Sequence, residues 1–196
     1  MLRHLILLLV VVFAMSPWAS AQKSLSDQVR LNRGICLLVE VSSADEIKKL
    51  AADTELTIVV QLKELSDVRR LQQELNEAKL LGTRVYVSRI ENGRLCLATN
   101  LADVVITPDK VVSREEQLRV LRPRGRLVSS RGVDIKPVPE GTGEWTHPYQ
   151  DAANNPLARD RLTRAPYLTK FLSAPHYGPM PEITLSAGGR IFKAFG

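Results

Sequence analysis

The side chains equipped for chemistry in this sequence stand at the ends of apolar runs. Glu40 follows ICLLV (35–39), and Ser42, Ala44 and Glu46 come after it at alternate positions. Gln61 stands near the end of LTIVVQL (56–62), and Asp103 opens DVVIT (103–107). Acceptors beyond the carboxyl ends of parallel strands bind ligands, because loops from both sides of the switch in strand order meet there. Each of these residues also has a structural use: Glu40 as a solvated strand-end acid, Glu46 as a helix cap, Asp103 as an anchor for its own strand, and Arg119 as surface charge. No metal site is indicated, since His4, His147 and His176 are scattered and neither Cys36 nor Cys96 lies in a CxxC.

The elements that must position these groups follow from periodicity. The runs ICLLVEV (35–41), LTIVVQL (56–62), RVYVSRI (84–90), DVVIT (103–107) and GRLVSS (125–130) have strand length, and several are too continuously apolar to face water on one side. Helix signals separate most of them. Ser43 with Glu46 and Ser113 with Glu116 have the spacing of capping boxes. Val68, Leu71, Leu75 and Ala78 recur at helical spacing behind Ser66, and Gly82 is placed to close that helix. LRVLRPRGRLV (118–128) reads as a helix end, a tight turn and a buried strand. The order β-α-β-α-β, a break, then β-α-β predicts an α/β fold: a Rossmann-like parallel sheet of about five strands with helices on both faces.

With VEVSSADE after the first run, NLADVVIT at the fourth and EEQLRVLRPRGRLV leading into the fifth, the chain resembles the class I S-adenosylmethionine-dependent methyltransferases over about residues 30–135. The resemblance implies S-adenosylmethionine as the cofactor and Glu40, Ser42, Ala44, Gln61 and Asp103 as the family's cofactor-binding positions. Glu40 falls on the acid that ends strand one, and Ser42, Ala44 and Glu46 fall on the three glycines of the following loop. Glycine serves there because the backbone turns sharply and approaches the cofactor with no side chain between. Gln61 falls where an acid accepts both ribose hydroxyls, and it brings one acceptor oxygen and no charge. Glu91 is a loose counterpart of the aspartate that receives the adenine amine. After the fifth run the chain turns to IKPVPEGTGEW, which offers no sequence for the family's closing antiparallel strand pair. The expectation is a domain that keeps the scaffold and has lost catalysis.

The ends of the chain have a different character. Arg3, an apolar run from Leu5 to Met15 and the small triplet Ala19-Ser20-Ala21 follow the grammar of a secretory signal peptide cleaved after Ala21. The run is short of the roughly 20 residues a permanent span needs, although an uncleaved anchor is the alternative. Residues 1–21 are therefore expected to direct export to the periplasm or cell exterior, and 22–136 to form the methyltransferase-like domain. Eight of the eleven prolines lie from Pro137 to Pro181, which predicts an irregular connector packed by Trp145, Tyr149, Tyr167, Phe171 and Tyr177. EITLS and RIFKAF flank Ala187-Gly188-Gly189, a hairpin signal over 182–196. This second segment, through Trp145, Thr146, His147, Pro148, Tyr149, Asn154, Asn155, Pro156 and GRIFKAFG, resembles exported proteins in which a degenerate methyltransferase-like domain precedes a pyrroloquinoline-quinone-binding-like β-propeller. It implies that the hairpin opens a longer β-protein.

Net charge is +6, with eight Lys or Arg between Lys110 and Lys136 against Glu115, Glu116 and Asp134. Without interleaved aromatics, this pattern reads as a solvated face rather than a nucleic-acid stripe. Cys36 and Cys96 sit in apolar runs, which favours two buried thiols and leaves a disulfide open. Three functions stand at this point: a non-catalytic exported domain, an active methyltransferase with an atypical loop, and a basic module holding anionic polymers through Arg119, Arg122, Arg124, Arg126 and Arg131.

Overall fold

The computed structural model describes residues 24–108, 110–154, 157, 159–162, 183–188 and 190–194. The signal-like leader, about half of the Pro-rich stretch with Asn155, Pro156, Tyr167, Phe171 and Tyr177, and Phe195 lie outside the described residues.

A short helix α1 (Leu25–Val29) opens the described chain, with Ser24 Oγ accepting the Asp27 amide at 3.2 Å. Alternating elements follow: β1 (Ile35–Val39), α2 (Ala44–Asp53), β2 (Thr57–Leu62), α3 (Leu65–Glu77), β3 (Val85–Arg89) and β4 (Ala102–Ile106). Then come α4 (Arg114–Val120), β5 (Leu121–Ser129) and β6 (Gly132–Ile135). The sheet order is β3-β2-β1-β4-β5-β6, parallel throughout except for β6. The order reverses between β1 and β4, which pair directly. This is the Rossmann-like α/β fold expected from the runs.

Strand alternation divides the core in two. Cys36, Leu38, Ile58 and Val60 face one layer with Ile47 and Leu50 of α2 and Val68, Leu71 and Leu75 of α3. Leu37, Val39, Val59, Val105 and Leu127 face the other, under Val120 of α4 and Leu95 of the β3–β4 connection. Because both faces are covered, β1 and β2 carry no polar alternation, and that is why they read as continuous apolar runs.

Local predictions fare unevenly. Ser43 Oγ accepts the Glu46 amide at 3.4 Å and Ser113 Oγ the Glu116 amide at 3.2 Å, so both serines cap as expected. Glu116 does not complete its box; its carboxylate is engaged by Arg119 and the Leu95 amide. Gly82 takes φ +75°, yet α3 ends earlier, at Glu77. Cys36 is buried but Cys96 is exposed, which corrects the reading of two core thiols; both are free. The apolar neighbours Leu95 and Leu97 belong to a connecting segment rather than a strand, so their burial did not extend to Cys96.

Two further corrections concern the end of the sheet. β5 begins at Leu121, not Gly125, and the turn read from RPRG is a bulge inside it: Ala102 pairs with Leu121 and Val104 with Arg126. An antiparallel strand does form, because Ser130 and Arg131 make a two-residue loop that returns β6 along β5. β6 is short and largely exposed, so no apolar run announces it. Just past it, Lys136 Nζ donates to Leu118 O (2.5 Å), Leu121 O (2.7 Å) and Asn100 Oδ1 (2.6 Å), satisfying carbonyls at the end of α4. Burial pushes this ammonium below its usual range.

The second segment carries the expected hairpin, β7 (Ile183–Ala187) with β8 (Arg190–Ala194). Trp145 and Ser186 exchange backbone hydrogen bonds at 2.8 and 2.6 Å, and Gly188 N donates to Glu144 Oε1 at 2.9 Å, so β7 has a seat that the sequence did not reveal. Ile191 and Phe192 of β8 remain 66% and 52% exposed.

Candidate functional site

The carboxyl ends of β1 and β2 bring together Glu40, Ser42, Ala44 and Gln61. Asp103 is not among them. It stands second in β4, at the opposite edge, where Oδ2 accepts the Ile35 amide at 2.8 Å and Oδ1 accepts Arg122 Nε. Gly34 supplies the room: a Cβ there would collide with the Asp103 carboxylate, and its φ of +125° suits glycine. Asp103 thus joins the starts of β1, β4 and β5, which is a sheet-ordering role.

At the carboxyl edge the left-handed conformation falls on Glu40, at φ 57°, and on no other residue from 40 to 46. Ser42, Ala44 and Glu46, aligned with loop glycines, therefore need no positive φ. The chain reverses at Glu40 and passes within four residues into α2, whose first residue Ala44 is buried. Ser42 is exposed, and its carbonyl accepts Arg70 Nη2 at 3.4 Å. Arg70, which sequence reading did not single out, also bonds Glu74 at 2.9 Å and Asp67 at 3.4 Å, the Glu74 bond foremost in raising its pKa.

Glu40 and Gln61 are locked to each other's strands. Glu40 N donates to Gln61 O at 2.9 Å, and Glu40 Oε1 accepts the Lys63 amide at 2.6 Å. The Gln61 side chain is wholly buried and spends its amide internally. Its Oε1 accepts the Cys96 amide at 2.9 Å, while Nε2 donates to Ser88 Oγ at 3.3 Å and Arg89 O at 3.4 Å. An acid at this position can supply the acceptor but not the donor. Glutamine is the residue that ties the 88–96 segment to β2 from both sides.

A cavity of about 670 Å³ opens over this edge, lined by Gln61, Ser88, Arg89, Asn92, Arg94 and Cys96 among others. Glu91, the loose adenine-amine counterpart, also lines it, exposed at the start of an ENGR turn in which Arg94 N donates to Glu91 O at 2.8 Å. A smaller cavity of about 290 Å³ lies past β4 and β5, between Val41, Thr107 and Ser129. Behind the first cavity, Arg119 donates to Leu95 O and Leu97 O at 3.0 Å each and pairs with Glu116, so it braces the segment rather than decorating the surface.

The residues present do not fit S-adenosylmethionine as the family pattern would hold it. Two ribose hydroxyls need acceptors, and the Gln61 side chain brings one neutral oxygen that already accepts the Cys96 amide. One oxygen of Glu40 is committed to the Lys63 amide. The basic residues are similarly committed: Arg122 to Asp103, Arg119 to Glu116, and Arg126 Nη1 to Val29 O at 2.6 Å. Among the described residues no cluster of His, Cys, Asp and Glu could hold a metal ion, and no helix is long and apolar enough to cross a membrane.

No family model matches this sequence, and no curated protein matches it. Solved structures do resemble the fold. A SAM-dependent methyltransferase from Aquifex aeolicus aligns at 17% identity and TM-score 0.44, covering 49% of this chain and 55% of that one. Geranyl diphosphate C-methyltransferase from Streptomyces coelicolor A3(2) aligns at 10% identity and TM-score 0.48, covering 54% of this chain and 42% of that one. The cyclase SpnF aligns at 22% identity and TM-score 0.47, covering 53% and 41%. The chain thus spans roughly half the length of these structures or less.

Proposed function

We propose that this chain is an exported, methyltransferase-like domain without catalysis that binds or positions something for a quinone-binding-like β-propeller region. The observation that carries the loss of catalysis is the internally engaged Gln61 amide. The group aligned with the ribose-holding acid is buried, neutral and spent on the Cys96 amide, Ser88 and Arg89 O. Turning it toward a ligand would take a partner from the Cys96 amide, the Ser88 hydroxyl and the Arg89 carbonyl, at a cost of up to about 1–3 kcal/mol for each that water cannot reach. The leader grammar of residues 1–21 supports export, and the WTHPY and NNP phrases support the propeller context.

Titration calorimetry of residues 22–196 with S-adenosylmethionine tests the reading. We expect no binding tighter than about 100 μM, equivalent to about −5.5 kcal/mol. Tighter binding, or methyl transfer from it to any acceptor, would overturn the non-catalytic assignment.

A further inference from the structure

The bulge in β5 places a charged side chain where backbone conformation favours glycine. Arg124 has φ 63°, held by hydrogen bonds from Arg124 N to Lys136 O at 2.8 Å and from Lys136 N to Gly125 O at 3.0 Å. A non-glycine residue in the left-handed region is strained, and such strain collects at binding sites. The guanidinium reaches the hairpin turn, since a Cβ added to Gly188 would lie 3.4 Å from Arg124 Nη1. Among the described residues it has no hydrogen-bond or ion-pair partner.

Arg124 lines a cavity of about 500 Å³ between the bulge and the hairpin, at the amino edge of the sheet and away from Glu40 and Gln61. Glu144 lines the same cavity. Its Oε1 accepts the Gly188 amide, and Oε2 has no partner among the described residues. Arg122, also at the wall, is already paired with Asp103. The cavity therefore holds a cation and a carboxylate that do not pair with each other. A simple anion would meet Glu144, and a simple cation would meet Arg124. A ligand bearing both charges satisfies both, and Pro123 and Val138 add apolar wall for a side chain. We propose that this cavity binds a small zwitterion of about dipeptide size, its carboxylate on Arg124 and its ammonium on Glu144.

Calorimetry of the full chain with glycyl-leucine tests the assignment. Saturable binding is expected, and N-acetylglycyl-leucine and glycyl-leucinamide, each lacking one charge, should bind at least about tenfold more weakly. Arg124→Gly removes the guanidinium and relieves the left-handed backbone, so it should lose the same factor in affinity while the thermal midpoint stays level or rises. Glu144→Gln keeps an oxygen for Gly188 N and should likewise weaken binding. Absence of saturable heat with glycyl-leucine, equal affinity for the blocked dipeptides, or unchanged binding by Arg124→Gly would overturn the proposal.

Discussion

Glu116 and Arg119 form a two-point ion pair one helical turn apart, with Nε and Nη2 of Arg119 each 2.7 Å from a separate Glu116 oxygen. The pair faces inward, with side-chain exposures of 14% for Glu116 and 22% for Arg119, and it fixes Leu95 and Leu97 on the far side of the cavity wall.

That geometry predicts an acid-sensitive limb of stability. The Arg119 guanidinium, with help from the Leu95 amide, holds the Glu116 carboxyl below its ordinary value near 4.5. A carboxyl depressed in the folded state stabilises fully above its unfolded pKa, and the contribution is lost as pH falls through the lowered folded value. Glu116→Gln should cost about 2 kcal/mol at neutral pH and flatten the fall in stability below pH about 4.5. Urea unfolding at a series of pH values checks this; an unchanged acid limb in the variant would assign it to other carboxylates.

Gln61→Glu is the substitution that would bring the chain nearer to the methyltransferase pattern. Buried as Gln61 is, a carboxylate there would face the Arg89 carbonyl and lose the bonds from Nε2. The expected outcome is destabilisation by roughly 2–4 kcal/mol with no gain of S-adenosylmethionine binding. Thermal unfolding with and without the cofactor distinguishes this from a restored site, which would show a cofactor-dependent rise in midpoint.

The hairpin predicts association. β7 is held by Trp145 and Glu144, but β8 presents Ile191 and Phe192 to solvent along an edge that no described strand covers. Such edges pair with other chains. Light scattering should show residues 22–196 self-associating at concentrations where the Ile191→Lys, Phe192→Lys double variant stays monomeric. Equal monodispersity of the two would show that β8 is not the sticking edge.

Particular residues mark how much the sequence by itself determined. The continuous runs of β1, β2 and β4, the helical period of α3 and the serine caps of α2 and α4 announced a doubly covered parallel sheet, because burial on both faces and local amide satisfaction leave their mark within a few residues. Glu40 and Gln61 were legible as strand-end groups for the same reason. Their partners were not. Gln61 meets Cys96 across 35 positions and Asp103 meets Ile35 across 68, and no local pattern encodes which amide a side chain will reach. The bulge at Arg124, the hidden strand β6 and the seat of β7 on Trp145 likewise exist only once the sheet has closed. Hydrophobic periodicity is a short-range property of the chain, whereas the spending of polar groups is decided by which distant backbones the packed core brings within hydrogen-bond reach.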